Sequence, residues 1–144
     1  IIEVILMELN VNVEVKILKP VKEVFEAVAD PEKMKKYFIS NGSGRLESGK
    51  TVVWEFSDYN AILDIKVISV KEDEIIFLWS ASGVETKVVF SFIKNGSDTI
   101  LKIHEDGWNK DDEGIARVIE QSKGWAQMSI CLKGYVEFGV NLRG

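Results

Sequence analysis

One histidine and one cysteine set narrow limits on the chemistry this chain can do. His104 stands in "HEDGW", followed by Glu105 and Asp106, and any imidazole-based metal site or nucleophile–base pair would have to be built on it. Its parity in the strand "TILKIHED" matches Lys102, away from Leu101 and Ile103, which predicts a solvent-facing or strand-end histidine. Glu105 and Asp106 are candidates to pair with it, but adjacent strand residues point to opposite faces, so metal binding is weakly supported. Cys131 falls in an apolar helical stretch with no base or helix N-terminus beside it, and reads as a buried small hydrophobe. A single cysteine allows no intrachain disulfide and no cysteine-based zinc cluster. No phosphate-binding loop, dinucleotide fingerprint, nucleophile elbow or HExxH motif occurs. The acidic runs Glu72–Glu74 and Asp111–Glu113 read as a turn and a helix start. Among acids, Glu55 and Asp64 have outward parity, as does His104. Glu105 has inward parity and is the one weak catalytic candidate.

Large apolar side chains are the richer resource. Trp54, Phe56, Phe77, Trp79, Phe90 and Phe92 share the inward parity of successive strands, and Trp108 sits where the last strand meets the final helix. Trp125, Met128 and Leu132 recur at helical spacing in that helix. They can simply fill a core, or they can line an apolar pocket with few polar groups, the usual form of a small-molecule site. Gln121 lies within the apolar stripe one turn before Trp125, and a buried amide needs a partner.

Those residues require elements to hold them. "VNVEVKI", Val11–Ile17, alternates as a half-buried strand. Pro20 opens a helix in which Val21, Val24, Phe25 and Val28 recur at helical spacing. Asp30 caps a second short helix, "PEKMKKYF", and "SNGSG", Ser40–Gly44, reads as a loop. Periodicity then becomes two: Val52/Trp54/Phe56, Leu63/Ile65/Val67, Ile75/Phe77/Trp79, Val88/Phe90/Phe92 and Leu101/Ile103 each share a face. "NGSD", Asn95–Asp98, marks a hairpin. The last helix is expected from about Glu113 to Phe138, capped by Asp111 or Asp112 and ended by Gly139, with Val118, Gln121, Trp125, Met128, Leu132 and Val136 in one stripe and Tyr135 at its border. A sheet with one apolar face must be covered, and the helix is the cover.

The 144 residues fit a single domain spanning 1–144, with 1–10 as a candidate extension of the first strand and Met7 as a candidate natural start. A net charge of -5 without a basic stripe argues against a nucleic-acid partner. No run is apolar enough to span a membrane, and "IIEVILMELN" is a poor signal peptide, so a cytoplasmic location is expected. Two "NGS" triplets, at Asn41 and Asn95, read as turns rather than glycosylation sites. Nothing calls for a cofactor or a metal, and oligomeric state is left open.

Three stretches carry a resemblance: "LKPVKEVFEAVADPEKMKKYF", "HEDGW" and "GWAQMSICLKGYVEFGVNLR". With the element order they resemble the START-like (SRPBCC, Bet v 1-like) superfamily, and within it the family of activator of heat-shock protein 90 ATPase homologues. Tyr37 stands where that pattern usually has tryptophan, which keeps the aromatic anchor. The resemblance implies an α+β helix-grip fold: a curved antiparallel sheet of about six or seven strands wrapped around a long C-terminal helix, two short helices after the first strand, and a deep hydrophobic cavity. It implies no catalytic residue, since relatives variously bind lipids, sterols, polyketides or aromatic compounds, catalyse cyclisation or dehydration, or stimulate a chaperone ATPase. The expectation is a non-catalytic binder of a small apolar or aromatic ligand lined by Trp54, Phe77, Trp79, Phe90, Trp108, Trp125, Met128 and Leu132, with Gln121 or Tyr135 orienting a polar group. The alternatives are an interaction module acting on a chaperone, with a filled core and a surface patch, and a cyclase- or hydrolase-type enzyme.

Overall fold

The computed structural model describes residues 8–144. Of the candidate extension 1–10, residues 1–7, with the candidate start Met7, lie outside the described residues, and the first strand opens at Asn10. Strand β1 (Asn10–Ile17) leads into helix α1 (Val21–Ala29) and the single turn α2 (Pro31–Met34), followed by β2 (Asn41–Gly42), β3 (Thr51–Phe56), β4 (Ala61–Lys71), β5 (Glu74–Trp79), β6 (Thr86–Asn95) and β7 (Asp98–Asp106). The final helix, α3, runs Asp112–Phe138. The sheet order is β1-β7-β6-β5-β4-β3-β2, antiparallel throughout. The α+β helix-grip expectation is met.

Local chemistry accounts for the element ends. Asp30 accepts from the Glu32 amide and Asp111 from the Gly114 amide, both as helix N-caps. Gly139 ends α3 at φ 67°, a left-handed position that L-residues resist. Two expectations need correction. The "PEKMKKYF" helix closes after Met34, because residues 35–38 tighten into turns that drive Tyr37 inward, where its hydroxyl donates to the Ala27 carbonyl at 2.9 Å. The "SNGSG" loop contains β2, whose two residues pair with Glu55 and Trp54.

A bulge between Val67 and Ser69 shifts the register of β4, so that Val70, of outward parity before it, pairs with buried Ile75 and packs against the core. The inward parity read from the sequence holds on every strand: Val52, Trp54, Ile65, Val67, Ile75, Phe77, Trp79, Val88, Phe90, Phe92, Leu101 and Ile103 are all buried. Helix α3 lies closest to β1. Toward β3–β5 the distance from helix to sheet is bridged by the largest aromatic side chains.

Outside this core, Arg45 clamps α1 to the segment before β3, donating to both carboxylate oxygens of Glu26 at 2.8 and 2.7 Å. These hydrogen bonds hold the Glu26 carboxyl below the ordinary glutamate range. A carboxylate lowered on folding stabilises above its unfolded-state value, and the contribution is lost as pH falls through the folded-state value. The pair is partly exposed, so solvent limits its worth. Glu26→Gln is expected to cost about 0.5–1 kcal/mol at neutral pH in urea unfolding. Its deficit relative to wild type should shrink in acid; a deficit constant with pH would show that the charge is not the cause.

Candidate functional site: a buried carboxylate in an aromatic box

Three neighbouring strands and the helix bring polar atoms to one point. Trp79 ends β5 and pairs with Thr86, which begins β6; Val88, two residues on, pairs with Glu105 near the end of β7. All three polar side chains therefore sit at one end of the sheet's inner face. From above, Gln121 and Trp125, one turn apart on α3, point down to the same place.

Glu105 is fully buried at that point. Its Oε2 accepts from Trp79 Nε1 at 2.9 Å and Thr86 Oγ1 at 2.6 Å. Its Oε1 accepts from Trp125 Nε1 at 2.8 Å and Gln121 Nε2 at 2.9 Å. The two indoles can only donate, so the set suits a carboxylate acting purely as an acceptor. Among the described residues, no ion pair involves Glu105. Nor does any buried side-chain nitrogen or oxygen there lack a partner. Trp79, Thr86 and Trp125 are buried with Glu105, whereas Gln121 is half-buried. Only Gln121 has a side reaching water.

Around this hub the aromatic residues pack on one another. Trp79 stacks on Trp125 with ring centroids 5.2 Å apart at 29°. Phe90 meets Trp125 edge-on at 5.4 Å. Trp54 contacts Phe77 at 5.5 Å and Trp79 at 6.1 Å, and Phe38 closes the far side against Trp54, Phe56 and Trp125. The space expected for a ligand is thus occupied by the side chains expected to line it.

The structure brings Trp54, Phe77, Trp79, Phe90 and Trp125 into one cluster and sets Gln121 on its polar centre. Met128 and Leu132 are buried in the same core. Trp108 lies at the rim, its Nε1 donating to Ser82 Oγ at 3.1 Å. Tyr135 is placed elsewhere: it stacks on Tyr37 at 5.6 Å, in the C-terminal half of α3. Thr86 and Phe38 were not among the sequence candidates. The alternation of β6 signals Thr86, which shares parity with Val88 and Phe90; Phe38 follows the anchor Tyr37 but carries no periodic signal of its own.

Other candidates resolve simply. His104 faces outward, its Nδ1 2.9 Å from Asn12 Oδ1 and its Nε2 2.9 Å from Asp106 Oδ2. Its partner is Asp106 because residues two apart share a face, whereas Glu105 points to the core. Cys131 is half-buried rather than fully enclosed. Among the described residues, no cluster of three or more His, Cys, Asp and Glu side chains is placed to hold a metal, and no helix is long and apolar enough to cross a membrane.

Beside the hub, a cleft of about 70 Å³ is lined by Val84, Gly107, Asn109, Asp111, Glu113, Gly114 and Arg117. Gly107 has φ 128°, and a Cβ there would lie 3.2 Å from Thr86 Cα, so the chain passes this point only as glycine. Arg117, one turn before Gln121, donates to Glu113.

Solved structures share this architecture. A protein from Staphylococcus saprophyticus, SSP2350, is 30% identical, with a TM-score of 0.82 over 94% of this chain and 96% of that one. DynU16, a protein of the dynemicin biosynthetic locus, is 28% identical with a TM-score of 0.83; the match covers 93% of this chain but only 49% of DynU16. The Aha1 dimer from Colwellia psychrerythraea, at 19% identity, shares the fold with a TM-score of 0.78 over 90% of this chain and 97% of that one. No curated protein matches the chain at a significant level. The family profile described as Activator of Hsp90 ATPase homolog 1-like protein matches residues 19–137, from just before α1 almost to the end of α3. With a sheet gripping one long helix, and with the profile running through nearly all the elements that build the box, this chain belongs to the Activator of Hsp90 ATPase homolog 1-like family.

Proposed function

We propose that the domain binds a small apolar or aromatic molecule between the sheet and α3, without catalysing a reaction. The observation that carries this reading is Glu105: a single polar anchor set in an otherwise apolar, aromatic volume, the composition typical of small-molecule sites. The proposed lining is Trp54, Phe77, Trp79, Phe90, Trp108, Trp125, Met128 and Leu132, with Gln121 as the polar group nearest water; Tyr135, stacked on Tyr37, is not part of it. Because the box is closed, entry requires the Trp79–Trp125 stack to part. A planar ligand sliding between the indoles would replace each ring's stacking partner with its own face. Catalysis is not part of this reading, since Glu105 has every oxygen engaged by protein donors.

The test is a titration of tryptophan fluorescence with fatty acids, flavonoids and other apolar compounds. Saturable quenching is expected for at least one class, and it should be lost in a Trp125→Leu variant shown by circular dichroism to be folded. A flat response across the panel would overturn the reading.

A second reading, a module acting on a chaperone, is favoured by a separate observation. Leu18, Phe138 and Leu142 are exposed near the end of α3, where Glu137 accepts from the Leu18 amide. Such a patch suits a protein partner, and the family is named for ATPase activation. If this reading holds, the protein should raise the ATPase rate of an Hsp90-type chaperone, and Phe138→Ser should abolish the effect while leaving the fold intact.

A further inference from the structure

We propose that the ligand is an apolar cation, an aromatic or aliphatic amine whose ammonium takes the place of the Gln121 amide on Glu105. This rests on the reading that sheet and helix receive a ligand, and adds the charge of its head group. A carboxylate is the most demanding acceptor to bury, and here it is enclosed with neutral donors alone. Two indoles, a hydroxyl and an amide satisfy its lone pairs but leave its charge uncompensated. An ammonium supplies donor and countercharge together, which makes it a stronger partner for a carboxylate than any neutral group.

The geometry indicates which donor gives way. The donor groups of Trp79, Thr86 and Trp125 are buried with no water to turn to, whereas Gln121 is half-buried and its side chain can swing toward water. The neighbouring cleft, one helical turn from Gln121, is lined by Asp111, Glu113 and Arg117, with Arg117 engaged by Glu113. Glu113 is offset by Arg117 and Asp111 caps the N-terminus of α3, so a fatty-acid carboxylate is disfavoured by Glu105 itself, the like charge it would meet at the anchor. Once the ammonium is seated, the parted indoles offer their ring faces to the ligand's apolar body.

Three probes with one body and different heads test the idea: phenylbutylamine, phenylbutanol and phenylbutyrate, titrated calorimetrically into the intact protein. The amine is expected to bind about tenfold more tightly than the alcohol, with the carboxylate weakest. Gln121→Ala, at a half-buried position, should remain folded and tighten binding of the amine by removing the competing donor. Glu105→Gln, if folded, should abolish the preference for the amine over the alcohol. An alcohol or carboxylate that binds as tightly as the amine, or an amine affinity unchanged or weakened in Gln121→Ala, overturns the cationic assignment. If all three probes fail while neutral apolar compounds quench the tryptophans, the assignment alone falls. If both sets fail, the ligand reading falls with it.

Discussion

Replacing Glu105 by leucine should destabilise the domain by about 3–5 kcal/mol, although it exchanges a charged group for an apolar one in an apolar place. The reason lies with the partners. Trp79 Nε1, Thr86 Oγ1, Trp125 Nε1 and Gln121 Nε2 all aim at the carboxylate. Removing the acceptor strands two indole N–H groups that can neither accept nor reach water. Thr86 retains a long contact to the Trp79 carbonyl at 3.5 Å, and Gln121 can turn outward, so these two lose less. Glu105→Gln should fall between wild type and leucine, because the amide keeps one acceptor oxygen but aims an NH₂ at a donor. Urea unfolding followed by far-UV circular dichroism measures both. A leucine variant within 1 kcal/mol of wild type would show that the hub does not tie the helix to the sheet.

The behaviour of Glu105 also shows what could be read from the sequence. Strand parity is a strict period of two, so the inward face of each strand was legible, and with it the one acid on that face. The stripe on α3 followed from a period of 3.6, and placed Gln121 and Trp125 together. That these residues meet Glu105 depends on the stagger of β5, β6 and β7, which is set by the registers of the hairpins that join them and carries no local signature. The turn after Asn95 is marked by Asn-Gly, and that hairpin was readable. The two-residue β2 was not, since a strand that short has no period to detect. Occupancy of the box was equally hidden. Inward parity states that Trp54, Phe77, Trp79, Phe90 and Trp125 face one volume, but whether they line it or fill it depends on the spacing of α3 above the sheet. Phe38 illustrates the limit: it enters the box from a turn, where no periodicity operates.

Whether the box is a packed core or a closed pocket is decided most sharply at Trp125. Its ring stacks on Trp79, meets Phe90 and Phe38, and its Nε1 donates to Glu105. Trp125→Ala should therefore cost about 3–5 kcal/mol, from lost transfer energy and the cavity left behind. Trp125→Phe keeps most of the ring volume and drops the donor, and should cost about 1–2 kcal/mol, the share of one hydrogen bond to a charged acceptor. The alanine variant then becomes an instrument. If Trp79, Phe90 and Phe38 hold their positions, the space left is apolar on three sides with Glu105 at its base, and added indole should restore the unfolding midpoint in a saturable way. Such rescue would show that the walls keep their shape when the filling side chain is gone, and that Glu105 accepts an N–H from a free molecule. If indole has no effect, the neighbouring rings have collapsed into the vacancy. The aromatic residues would then be a core that yields as a unit, and the surface around Phe138 would become the better place to look for a partner.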